Sequence, residues 1–114
     1  MSSTKNQLAV VMSLLEPLGE VRSHPMMGEF VLYYRDKVIG GLFNDRLLLK
    51  ATPTASSLLP DAPRIVPYEG AKKRLIAYDD LDNPEPLRRA IAAMVDELPE
   101  PKRRIRLPKK ESSP

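Results

Sequence analysis

Three six-residue apolar blocks between residues 30 and 51 constrain this chain more than any other feature. They read FVLYYR, VIGGLF and RLLLKA, and the two-residue breaks Asp36-Lys37 and Asn44-Asp45 separate them. Asn, Asp and Gly tolerate the positive φ of tight hairpin turns, so both breaks read as turns, Asn44-Asp45 the more strongly. The spacing predicts a three-stranded antiparallel meander. Turns at these positions also fix a register, with Tyr34 opposite Ile39 and Phe43 opposite Arg46. One face then carries Val31, Tyr33, Val38, Gly40, Leu42, Leu47, Leu49 and Ala51. The other carries Phe30, Leu32, Tyr34, Ile39, Gly41, Phe43, Arg46, Leu48 and Lys50. The first face is a floor for helices. The second is too apolar to face water, so a helix, the segment 60–70, a bulge that shifts the register, or a partner protein must account for it.

The flanks supply the helices. Thr4 and Gln7 have capping-box spacing, and Leu8, Val11, Met12 and Leu15 follow at helical period, which predicts a helix over 4–16 that Pro17 ends. Residues 20–27 read as a short strand or an extended arm; Pro25 confines it to a sheet edge or a bulge, and Gly28 bends the chain into the meander. Residues 52–63 are rich in Pro and Ser and allow a short helix over 54–59. Residues 64–68 form a brief extended piece and residues 73–78 a further strand. Asn83 is the expected N-cap of a second long helix, with Pro84 at its first position and Leu87, Ile91, Met94 and Leu98 on its apolar face. Glu85 stands four residues before Arg89 and forms an expected surface pair. The fold class is α+β: two layers, with the N- and C-terminal helices packed on an antiparallel sheet.

A chain of 114 residues suits one domain, here expected over 1–98, followed by a flexible basic Pro-rich tail over 99–114. Residues 1–98 hold 12 Lys/Arg against 13 Asp/Glu, whereas the last sixteen hold six basic residues and two acidic. The positive charge therefore belongs to the tail. A nearly neutral body argues against a broad duplex-binding surface, and nucleic-acid contact falls to Lys102, Arg103, Arg104, Arg106, Lys109 and Lys110. The chain has no cysteine, which removes disulfides, thiolate nucleophiles and Cys-ligated zinc. Its first twenty residues have neither the basic start nor the long apolar run of a secretion signal or membrane span, so a cytoplasmic location without membrane attachment is expected.

No catalytic or metal constellation stands out. His24 is the one histidine and has no base or co-ligand beside it in the sequence. Tyr68 and Lys72 have the Tyr-x-x-x-Lys spacing of short-chain dehydrogenases, but they span a glycine turn with no phosphate-binding loop in the chain. Asp79, Asp80 and Asp82 precede a helix start, where carboxylates are favoured, and they lack the glycine and glutamate of a calcium loop. The cluster Lys72-Lys73-Arg74 reads as solvated charge. No enzyme activity, cofactor or metal is expected.

The run Met26-Met27-Gly28-Glu29-Phe30-Val31-Leu32-Tyr33-Tyr34-Arg35-Asp36-Lys37-Val38, followed by Asn44-Asp45-Arg46-Leu47-Leu48-Leu49-Lys50, resembles the N-terminal domain of the competence regulator TfoX (Sxy). Pro67 to Lys72 and Leu98 to Lys102 resemble the single-domain branch of that family, and the likeness covers about residues 5–105. Met27 stands where the family carries Phe. The resemblance implies a two-layer α+β domain and a non-enzymatic regulatory role, in transcription or competence, exercised through protein contacts with a partner or a second copy. The candidate interface is the second face of the meander: Phe30, Leu32, Ile39, Phe43, Arg46, Leu48 and Lys50. A nucleic-acid-associated regulator acting through the tail is the second reading, and a small enzyme or ligand-binding protein the third.

Overall fold

A computed structural model describes residues 3–67 and 69–99. Helix α1 (Lys5–Leu15) begins as the sequence predicts: the Thr4 hydroxyl accepts a hydrogen bond from the Gln7 amide at 3.1 Å. Its apolar stripe buries Val11 and Leu15 completely. Pro17 sits in the 3-10 turn Glu16–Leu18 that ends the helix, and Gly19 turns the chain at φ +82°.

The meander is extended on both sides into a six-stranded antiparallel sheet, β1 (Val21–Met26), β2 (Glu29–Tyr34), β3 (Lys37–Phe43), β4 (Arg46–Lys50), β5 (Arg64–Ile65) and β6 (Leu75–Ala77), in the spatial order β1-β2-β3-β4-β6-β5. The first three hairpins turn on Met27-Gly28, Arg35-Asp36 and Asn44-Asp45. Both central residues of each have positive φ, as two-residue turns matched to strand twist require. Residues 20–27 thus contribute a full edge strand. Met26 pairs with Glu29 next to the turn, so the antiparallel alternation directs the nitrogen of Pro25 away from β2. The proline costs the ladder nothing and removes a donor from the open edge, which discourages further strand pairing.

The Asn44-Asp45 turn and the β3–β4 register are as predicted, with Phe43 opposite Arg46 and Gly41 opposite Leu48. The first turn is not. It lies one residue earlier, at Arg35-Asp36, and Tyr34 faces Lys37 rather than Ile39. Between Leu32 and Tyr33 the register shifts, so that Leu32 faces Gly40, and Ile39 is the additional residue of a β-bulge. Gly40 makes the bulge possible: its φ is +151°, and a Cβ there would stand 2.0 Å from the Leu48 carbonyl oxygen. The bulge moves Ile39 to the side of the sheet where Leu32, Leu42, Leu47 and Leu49 lie, and that side forms the core.

Two further helices close this core. The Thr52 hydroxyl caps α2 (Pro53–Leu58) by accepting from the Ala55 amide at 3.1 Å. Helix α3 (Glu85–Met94) buries Leu87, Ala90, Ile91 and Met94 completely, and a 3-10 turn, Val95–Glu97, follows it. The expected cap differs here. Pro84 occupies the cap position with no side-chain hydrogen bond, while the Asn83 carbonyl accepts from the Tyr78 hydroxyl at 2.5 Å. Glu85 pairs with Arg88 (3.4 Å), three residues on, instead of Arg89. Arg88 also donates from Nε to the Leu14 carbonyl at 2.7 Å, joining α3 to an otherwise unsatisfied end of α1. At the far end of α3, Glu97 accepts from the amide and hydroxyl of Thr54, tying it to α2. Those hydrogen bonds hold the Glu97 carboxyl below its ordinary pKa.

A candidate interaction surface on the second sheet face

The corrected register separates the residues expected to share the second face. Leu32 and Ile39 are fully buried in the core, and Phe30 packs against that core from the same side. None of the three is available to a partner. Phe43, Arg46, Leu48 and Lys50 do lie together on the face away from the helices, with Val31, Tyr33 and Val38, which had been assigned to the floor. Leu48 is only 1 % exposed although it lies outside the main core cluster. Pro67, from the chain that leaves β5, lines the same groove as Val31 and Phe43. The segment after β5 therefore crosses back over this face and accounts for part of its apolar character.

What the crossing leaves open is a groove of about 570 Å³ lined by Met26, Met27, Glu29, Val31, Phe43 and Pro67. Met27 is 97 % exposed, Met26 50 % and the neighbouring Val66 43 %. Met27 also occupies the left-handed region at φ +52°, which costs a side-chain-bearing residue roughly 1–2 kcal/mol. A protruding, strained methionine contributes little to the fold that presents it.

The tip that carries it is nevertheless firmly held. The Ser3 amide donates to the Gly28 carbonyl at 3.0 Å, and the Ser3 hydroxyl donates to Glu29 Oε1 at 2.7 Å while accepting from the Asp45 amide at 2.9 Å. Glu29 Oε1 also accepts from the Asn44 amide at 3.0 Å, and Asp45 Oδ1 accepts from the Thr4 amide at 2.7 Å. One polar network thus pins two hairpin tips to the start of α1. It also engages one oxygen of Glu29, the carboxylate among the described residues that line the groove, whose remaining lining is apolar.

Charge frames this surface. Arg46 is held by both oxygens of Asp79, at 2.7 and 3.3 Å, and these hydrogen bonds raise its pKa. Arg22 pairs with Asp36 at 2.9 Å and lies 4.9 Å from the centre of the Tyr33 ring. Lys50 is half-buried beside Lys73; loss of hydration and then the charge of Lys73 lower its pKa. His24 is exposed on β1, opposite Val31. Among the described residues no three His, Cys, Asp or Glu side chains are grouped to hold a metal ion, and no helix is long and apolar enough to cross a membrane. Tyr68 and the six tail cations Lys102, Arg103, Arg104, Arg106, Lys109 and Lys110 lie outside the described residues.

Sequence reasoning missed Met26 and Met27 as surface residues. Their signal was a pair of large apolar side chains directly before a turn glycine, which reads equally well as the end of a buried strand. Ser3, Glu29 and Asp45 join across long sequence separations and left no local pattern.

Comparison with known proteins places the chain in a family. A family model described as the TfoX N-terminal domain matches residues 13–96. The "Uncharacterized 12.7 kDa protein in trpE 5'region" of Spirochaeta aurantia is 31 % identical over 104 residues, spanning 91 % of this chain and 90 % of that protein. No solved structure matches. With the matched region running from within α1 to the turn after α3 and enclosing the whole sheet, the chain belongs to the TfoX N-terminal domain family.

Proposed function

We propose that this chain is a non-enzymatic regulatory interaction domain of the TfoX type, acting through protein contacts made by the second face of its meander. Transcriptional regulation, competence included, is the setting that the family suggests. One observation carries the reading: an almost fully exposed methionine, strained in its backbone, stands at the mouth of an apolar groove on a hairpin held by hydrogen bonds from Ser3, just before α1. Methionine is a common choice at binding surfaces because its unbranched thioether adapts to the surface it meets. The domain is expected over 1–98, with the basic, Pro-rich segment 99–114 following it.

The test is Met27→Asn. Asparagine tolerates the left-handed conformation, so the variant is expected to match the parent in stability or exceed it by about 0.5–1 kcal/mol in chemical denaturation. Affinity capture with the same variant is expected to lose the protein partner that the intact chain retains. Lower stability with undiminished capture contradicts the reading, because Met27 would then be serving the fold.

The composition of the tail favours a second reading, in which the protein works beside nucleic acid. Six Lys/Arg in sixteen residues give that segment the charge for salt-sensitive phosphate contacts. Electrophoretic retardation of duplex DNA that disappears on deleting residues 99–114 supports it. No retardation at low salt rejects it.

A further inference from the structure

The second face combines an apolar groove with cations that have no anionic partner. Glu29, the carboxylate of the groove, already accepts two hydrogen bonds on one oxygen, and Asp79 is taken up by Arg46. Lys50 lies on the same face as Leu48, in the row of Tyr33 and Val38, and across β4 from Leu75. Among the described residues no carboxylate pairs with Lys50 or Lys73. A half-buried ammonium beside a second one carries a desolvation cost that an arriving anion relieves.

We propose that this face receives an acidic amphipathic segment of a partner protein, whose apolar side chains enter the groove between Met26, Phe43 and Pro67 and whose carboxylates meet Lys50 and Lys73. The inference rests on the docking reading above and adds the chemistry of the occupant. Charge complementarity decides among the candidates. The chain's own tail is strongly basic and is repelled by the two lysines. A second copy brings the same two cations to the interface. Nucleic acid also supplies anions, but its phosphate backbone brings no apolar side chains to fill the groove between Met26, Phe43 and Pro67.

A display library of short random peptides, selected on the immobilised full chain, tests the proposal. The expected survivors interleave Asp or Glu with apolar residues and bind more weakly as salt rises. Their affinity is expected to fall about tenfold or more with Lys50→Glu, and again with Phe43→Ala. Lys73→Glu, at an exposed position, is the second charge variant should Lys50→Glu fail to fold, and thermal melts check each variant. Peptides lost with Phe43→Ala but lacking an acidic bias and indifferent to both lysine variants overturn the charge assignment while leaving the docking surface in place. Two other results overturn both: no peptide that depends on Phe43, or binding of a single-stranded oligothymidylate in place of peptides, abolished by Lys73→Glu.

Discussion

Gly40→Ala is expected to destabilise the chain by about 3–5 kcal/mol and to move its urea midpoint far below that of the parent. The new Cβ would lie 2.0 Å from the Leu48 carbonyl oxygen and 2.8 Å from the Leu49 Cα, both rigid backbone of the neighbouring strand. The φ of +151° adds conformational strain that alanine cannot avoid without undoing the bulge. Together these cost about 3–5 kcal/mol, a large share of the roughly 5–15 kcal/mol that a small domain has in total. Gly70→Ala is the matched control. Gly70 also has a positive φ, +92°, but has open space where its Cβ would go. It should cost only about 1–2 kcal/mol. Urea denaturation followed by circular dichroism separates the two, and equal midpoints would remove the bulge from the account.

Ile39→Ala and Phe43→Ala are expected to differ as sharply. The sequence pattern puts both side chains on one face, where they should cost similar amounts. In the bulged register Ile39 is fully buried among Leu32, Leu42 and the helices, whereas Phe43 is half-buried at the groove. Removing Ile39 leaves a cavity in a closed core and should cost about 2–5 kcal/mol. Phe43→Ala should cost about 1–2 kcal/mol, because solvent or the crossing segment can fill the space. Equilibrium denaturation of the two variants reads this order directly. Equal costs would return the first turn to Asp36-Lys37.

These two variants mark where the sequence stopped being legible. Two-residue turn chemistry located the Asn44-Asp45 hairpin, and helical periodicity located α1 and α3, because those signals are local. Pro25 confined residues 20–27 to a sheet edge or a bulge for the same reason, without deciding between a strand and an extended arm. The bulge left no such trace. Strict alternation cannot register one extra residue, and Asp36 suits either position of a tight turn, so the choice between Arg35-Asp36 and Asp36-Lys37 falls to tertiary packing. Tyr34, Leu32 and Ile39 can join Leu42, Leu47 and Leu49 on one side of the sheet only if Ile39 is the additional residue. The same shift divided the candidate interface, sending Phe30, Leu32 and Ile39 inward and leaving Phe43, Arg46, Leu48 and Lys50 on the second face. Asn83 misled in another way: it is a good cap by type, but its backbone carbonyl is engaged by Tyr78 and the helix opens on Pro84 and Glu85.

The groove was legible only as an imbalance, a sheet face too apolar for water. Its resolution is mixed. Part of the excess was register, part is covered by the segment carrying Pro67, and the remainder is the patch around Met26 and Met27. No local signal could have shown that Ser3, Glu29, Asn44 and Asp45 fasten that patch to α1. The likeness to a family fixed the architecture more firmly than the mechanism, since the relative from Spirochaeta aurantia is itself uncharacterized.

The central claim, that the second face around Met27 is where this domain meets a protein, is tested most directly by photo-crosslinking in living cells. A benzophenone amino acid replaces Met27 in one chain and Arg89, exposed on α3, in another. A discrete protein adduct from position 27 and none from position 89 is the predicted result. No protein adduct from position 27, or the same adducts at equal yield from both positions, would contradict the claim.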